Sequence, residues 1–343
     1  MTATLDVDGR SDGSPRGSTS GLELVALSRL TFGHPTLRIG LSVGDRPLVA
    51  VGETVTPGGA LVDVLRDPRI EILAGDEGTP GARVHLGLGQ ARDGDGPADG
   101  ELLFTESGRR RVVVGDHVET IEAPASGVVR SVRPGIEVTV ELDGSGLPGT
   151  LGLGVPTHGR LELATDEGGE LRPGSVDVGR AGTILVVGSR VDAETLTRAR
   201  AMGVRGVVVA ALPGKDTRDF AASERRQRAA LHRLPPFAVL VLEGAIRRPI
   251  APPVMDLLRS LDGREVGLSV EPPALVFEGE PPPPPQPDLV VVRHGPFAGR
   301  TGTFVGLAGI RRFRAGVHLE AASVRFPTGE TRPVPLADLV RFG

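Results

Sequence analysis

The stretch LSVGDRPLVAVGETVTPGGALVDV (Leu41–Val64) decides how the first half of the chain is read. Its valines and leucines come in short bursts, each broken within a few positions by Gly-Asp or Pro-Gly, which is the punctuation of short strands joined by tight turns. A second stretch, VVVGDHVETIEAPASGVVRSVRPGIEVTV (Val112–Val140), opens on the same Val-Gly-Asp and holds its own Pro-Gly turn. The two read as related halves of one compact β barrel. Between them DGDGPADG (Asp93–Gly100) is a polar turn cluster or exposed loop.

Working outward, the same texture runs from Leu22 to about Val178, with segments recurring roughly every eight to twelve residues, the spacing of all-β proteins. Residues 1–20 hold almost no large apolar side chain and read as a disordered tail, unable to offset their ordering entropy by burial. At Gly182 the pattern changes, because TILVV (Thr183–Val187) is a continuous apolar run of the kind found in a doubly covered parallel strand. Asp192 sits at an N-cap position before a helix carrying Leu196, Ala199 and Met202, with Gly203 as its stop. Strands at Val207–Leu212, Phe237–Leu242 and Val266–Val270, with helices at Arg218–Leu234 and Val254–Leu261, complete an alternating β/α domain. PPPPPQP (Pro281–Pro287) then reads as an extended spacer between folded modules in preference to a peptide ligand. The expected fold is therefore multidomain, β-rich plus α/β: a disordered tail (1–20), a β domain (21–178), a small α/β domain (179–279), a polyproline linker (280–287) and a C-terminal β module (288–343).

Composition agrees with strands and narrows the chemistry. With 49 glycines and 30 prolines in 343 residues, long helices are disfavoured, and with no Trp or Tyr the cores must be aliphatic. There is no cysteine, which excludes disulfides, thiolate metal sites and cysteine nucleophiles. Lys215 is the only lysine, so Schiff-base chemistry and lysine-borne prosthetic groups have one possible position. No apolar run approaches the roughly 20 residues of a membrane span, so the expected location is cytoplasmic, without a membrane partner.

The C-terminal residues VVVRHGPFAGRTGTFVGLAGIRRF (Val290–Phe313) and TGETRPVPLADLVRF (Thr328–Phe342) resemble a KOW module, a small SH3-like barrel, and are most similar to the C-terminal domain of NusG-type bacterial elongation factors. The likeness rests on the turn Gly295-Pro296-Phe297-Ala298, on Gly302, and on the return strand Pro333-Val334-Pro335-Leu336. It implies loops that bind RNA or another protein, as in the elongation factors and in ribosomal proteins with the same module. The polymerase-binding N-terminal domain of those factors has no counterpart here. The first domain resembles the barrel-sandwich hybrids of biotinyl and lipoyl carriers: Val49-x-x-Gly52-x-x-Val55-x-x-Gly58-x-x-Leu61 is similar to their strand pair, and IEAPASGVV (Ile121–Val129) to the segment after their modified hairpin. The carrier lysine is missing near Val64, Leu65, Arg66 and Asp67, so the resemblance implies the fold and no prosthetic group. The α/β domain has a generic Rossmann-like resemblance.

No catalytic pattern emerges. The loop Val187–Asp192 has one glycine, too few for a dinucleotide site, and Gly214-Lys215-Asp216-Thr217 lacks the upstream glycine of a P-loop and sets a carboxylate where phosphate would sit. The histidines, His34, His85, His117, His158, His232, His294 and His318, never fall at metal-ligand spacing. Gly144-Ser145-Gly146 is a turn, not a nucleophile elbow. Charge is more informative: residues 288–343 carry eight arginines against four carboxylates, a net +4, which leaves −8 on the rest of a chain whose total is −4. Arg311, Arg312 and Arg314 beside Phe313 form an expected exposed loop able to pair with phosphates and stack on bases. With Arg293, Phe297 and Arg300 they are the candidate nucleic-acid or partner-binding residues. The expected function is a non-enzymatic adaptor or scaffold, without cofactor or metal, whose KOW module contacts RNA or a component of RNA polymerase or the ribosome. The alternative is an accessory subunit of a metabolic complex whose α/β domain binds a ligand or protein partner.

Overall fold

Short aliphatic segments separated by glycine and proline do become strands in this chain, and a computed structural model arranges them in five sheets among the described residues. The structure describes residues 21–343 apart from 67, 87–97, 116, 231–233, 281 and 284. The expected tail 1–20 lies outside them, as do Asp67, Asp116, His232, most of the Asp93–Gly100 cluster and two prolines of the spacer. The protein is β-rich with several sheets and divides into two compact units, Arg29–Pro283 and a second made of residues 21–28 with 285–343.

In the larger unit, the two Val-Gly-Asp stretches supply strands to the same pair of sheets. Arg46–Pro47, Ala60–Arg66 and His117–Glu122 form a three-stranded sheet, while Thr36–Gly40, Glu137–Leu142, Gly127–Arg133 and Thr54–Val55 form a four-stranded one. Leu37, Ile39, Val55, Leu61, Val129 and Val140 share one core between them. The Val49-to-Leu61 motif explains its own spacing: Gly52 and Gly58 hold φ of 85° and 79°, a region costly for residues with a Cβ, and the intervening Val55 is delivered to the core.

Between Ala60–Arg66 and its antiparallel partner His117–Glu122 the chain inserts a further sheet, in the order Arg69–Ala74, Arg109–Val114, Ala98–Glu106, Arg83–Leu86. It has its own small core of Leu86, Leu102, Val112 and Val114. Ala98–Gly100, read from the sequence as part of a turn cluster, open one of its strands.

The apolar run at Thr183 becomes the strand Thr183–Arg190, buried at every position through Ser189. Gly206–Ala211 and Ala238–Gly244 lie parallel to it in turn, joined by helices α1 (Ala193–Ala201) and α2 (Gly214–Ala230). The Asp192 carboxylate accepts the Thr195 N–H at 2.7 Å, the cap that its sequence position implies. Helix α2 begins at Gly214, earlier than the expected Arg218, and α3 spans Pro252–Ser260. Buried Arg200 of α1 bonds to Glu224 and Gln227 of α2, tying the helices together over a core that includes Leu196, Phe220 and Val207.

This sheet reaches well beyond the segment from which it was expected. Thr157–Leu163 pairs in parallel with Thr183–Arg190, and Glu265–Ser269, Ala274–Phe277, Ser145–Pro148 and Phe32–Gly33 extend the sheet antiparallel, with Leu151–Gly154 on the far edge, to nine strands. Strands on either side of position 178, where the sequence suggested a boundary, are thus hydrogen-bonded neighbours. Glycine interrupts Ser145–Leu163 too often for it to show the continuous apolar signature of a sheet centre.

In the smaller unit, six strands follow the order Ala26–Ser28, Leu339–Phe342, Leu289–Val292, Thr301–Arg312, His318–Arg325, Thr331–Pro335. The first pairs in parallel with the last strand of the chain, Ala26 opposite Val340. Leu22 and Val25 enter the core beside Val290, Phe304, Val324, Phe326 and Leu339. The sequence had placed these residues with the N-terminal β domain; a three-residue strand carries no local sign of its distant partner. Among the described residues, no helix is long and apolar enough to cross a membrane.

Candidate nucleic-acid interface

The Gly295-Pro296-Phe297-Ala298 segment makes the turn between the strands Leu289–Val292 and Thr301–Arg312, with the Ala298 N–H donating to Gly295 O at 3.1 Å and the Gly299 N–H to Val292 O at 2.8 Å. Phe297 folds back onto the core, its ring 5.0 Å from that of Phe326. Arg300 closes over both rings, its guanidinium 4.4 Å from the Phe326 centroid and 5.6 Å from that of Phe297. Its Nη1 also lies 3.6 Å from Glu330, which accepts a hydrogen bond from Arg332 at 3.1 Å. The Arg293 N–H donates to Asp338 O at 2.7 Å, and His294 Nδ1 stands 3.4 Å from the Asp338 carboxylate. Of the expected site residues, Phe297 and Arg300 are therefore engaged within the unit.

Thr301–Arg312 is the longest strand of the protein's described residues, and only its first part is flanked on both sides. Its register against His318–Arg325 shifts twice, between Phe304 and Gly306 and between Leu307 and Gly309. Such bulges add twist and bend to a ribbon. Past Gly309 and Ala321 no third strand among the described residues pairs with the ribbon, so Ile310–Arg312 and His318–Glu320 form a two-stranded arm. A one-turn 3-10 segment, Arg314–Gly316, closes its tip, held by the Phe313 N–H donating to Val317 O at 2.9 Å.

Arg311, Arg312, Phe313 and Arg314 all sit on this arm. Two arginines that were expected in a loop are in strand, directly opposite Leu319 and His318 respectively. Successive strand residues point to opposite faces, so Arg311 and Arg312 project from opposite sides of the ribbon. All three arginines are exposed, Phe313 is half-buried, and among the described residues none of the three arginines forms an ion pair. His318, across from Arg312, was not singled out from the sequence, since only strand register reveals the pairing. Exposed Ile310, Val317 and Leu319 interleave with the charges.

Elsewhere, Val187–Arg190, expected to open a loop, are the end of the strand Thr183–Arg190, and the protein itself fills the space beside Gly188. Gly188 N–H donates to Thr165 Oγ1 at 2.8 Å, and a Cβ there would meet Asp166 O at 1.9 Å, leaving no space for a phosphate. Asp216 at the start of α2 pairs with Arg190 at 3.3 Å. No group of three His, Asp or Glu side chains able to hold a metal ion occurs among the described residues. Compared with known proteins, the chain matches no family model and shows no significant similarity to any curated sequence.

Proposed function

We propose that residues 285–343, completed by residues 21–28, act as an SH3-like barrel of the KOW type that contacts RNA through its hairpin arm, in an adaptor that serves a transcription or translation machine. In this reading the two sheets around the Val-Gly-Asp stretches are a barrel-sandwich hybrid without its carrier lysine, and the parallel strands with α1 and α2 are a Rossmann-like scaffold.

The observation that carries the reading is the arm tip: three exposed arginines without ion pairs among the described residues, beside an aromatic ring, on a ribbon that extends past its flanking strands. Guanidinium groups on opposite faces of a thin ribbon suit phosphates passing on both sides of it, as a single strand or a groove edge offers, and read no particular base. Binding is expected to be insensitive to sequence and steeply dependent on salt, because each neutralised phosphate releases condensed counterions.

The test is a titration of labelled single-stranded and duplex RNA at several salt concentrations, with wild type beside a variant carrying Arg311→Ala, Arg312→Ala and Arg314→Ala. The variant is expected to bind more weakly, with a salt slope flatter by roughly two to three units if all three arginines meet phosphates. No binding by wild type at low salt, or equal binding by both, overturns the proposal. The second reading, a protein-docking arm, is favoured by exposed Ile310, Val317 and Leu319 and would then take its place.

A further inference from the structure

The Arg29–Pro283 unit holds an open cleft of about 830 Å³ at the junction of the three-stranded sheet and the inserted sheet. One wall presents Arg46, Asp63 and Leu65, and the other Arg83, Glu101 and Val113. The turn Ser42–Asp45 joins them. Its Asp45 carboxylate accepts the N–H groups of Ser42 at 2.7 Å and Leu65 at 2.9 Å, and a Cβ on Gly44 would fall 2.5 Å from Leu65 and 3.3 Å from Val113. A cleft of this size, with an apolar floor and a few polar groups, has the dimensions of a small-ligand site.

Strand register sets the charges in order. Arg46 is directly opposite Asp63, and Arg83 directly opposite Glu101, with Val113 next in the same row. Asp45 is committed to the backbone, and Asp63 accepts from the Thr120 hydroxyl at 2.8 Å through one oxygen, leaving the other. Among the described residues, Arg46, Asp63, Arg83 and Glu101 form no ion pair. Burial raises the Glu101 carboxyl above its ordinary value, the mark of a carboxylate losing water without gaining a cation. A ligand with only negative charge would meet Asp63 and Glu101, and one with only positive charge would meet the two arginines.

We propose that this cleft binds a zwitterionic ligand of amino-acid or short-peptide type, its carboxylate held by Arg46 and Arg83, its ammonium by Asp63 and Glu101, and an aliphatic side chain laid on Leu65 and Val113. The row continues from Val113 to Ile70, and Ile70, Ile72 and Phe104 are exposed on this face, so a longer peptide finds apolar surface beyond the cleft. This site is independent of the arm and of the RNA reading.

The full chain is titrated calorimetrically with L-leucine, Leu-Leu, N-acetyl-Leu-Leu and Leu-Leu amide. Saturable binding of Leu-Leu is expected, weakened roughly ten-fold or more by either blocking group, since each deletes a charge-assisted hydrogen bond. Glu101→Gln should weaken Leu-Leu but leave N-acetyl-Leu-Leu unchanged, and Arg83→Gln should weaken Leu-Leu but leave the amide unchanged. That crossed pattern assigns each charge to its partner. Leucine binding as tightly as Leu-Leu would assign the cleft to free amino acids within the same chemistry. Absence of saturable binding by both leucine and Leu-Leu at millimolar concentration, or equal binding of blocked and free dipeptides, overturns the proposal; thermal melting of both variants checks that they remain folded.

Discussion

Arg300 and Arg311 stand at opposite ends of the strand Thr301–Arg312, and their surroundings have little in common. Arg300 lies over Phe326 and Phe297 and beside Glu330, so its charge is engaged at the rim of the smaller unit. Arg311, on the two-stranded arm, faces Leu319 and has no ion pair among the described residues. The same side chain serves as a cap where aromatic rings and a carboxylate converge, and as a free cation where the ribbon outruns its neighbours. An excess of arginine therefore says little until strand register shows which guanidinium groups remain available.

The contrast can be broken most severely from the base. A chain beginning at Arg29 loses Leu22 and Val25 from the core of the smaller unit, a loss of about 3–6 kcal/mol at about 1.5–3 kcal/mol per buried side chain. Its melting should show the transition of that unit weakened or gone while that of Arg29–Pro283 persists. Phe326→Ala empties the centre of the rim and is expected to cost about 3–5 kcal/mol, read from denaturant midpoints. Arg300→Gln removes the cation from over the rings and should cost about 1 kcal/mol, with RNA affinity little changed at low salt. The triple alanine variant at Arg311, Arg312 and Arg314 should shift stability by less than about 0.5 kcal/mol, while carrying the whole loss of RNA binding. If Arg300→Gln weakens RNA binding as much as the tip variant does, the division between rim and tip fails.

What the sequence disclosed follows the range over which each signal acts. The parallel strands at Thr183 and Val207 were legible because a strand covered on both faces must be apolar at consecutive positions, and the Asp192 cap because its bond spans three residues. The turn at Gly295–Ala298 was legible for the same local reason, whereas Phe297, expected among the binding residues, packs against the core. Ser145–Leu163 was read into the wrong neighbourhood, because short strands with glycines do not state which sheet edge they complete. The inserted sheet, the parallel pairing of Ala26–Ser28, and the cleft at Glu101 depend on contacts between residues far apart in the chain. For the candidate interface, residue type identified the arginines, but only register separated Arg300 from Arg311 and brought His318 beside Arg312.

The parallel pairing of Ala26 with Val340 also orders events during synthesis. A ribosome delivers Leu22, Val25 and their short strand early, yet the edge that receives them does not exist until Leu339–Phe342 has been made. Through that interval the larger unit can fold, while the N-terminal strand waits with two apolar side chains unburied. Chains cut short before Leu339 would lack part of the core that receives Leu22 and Val25, and so would display an apolar pair that the folded unit conceals.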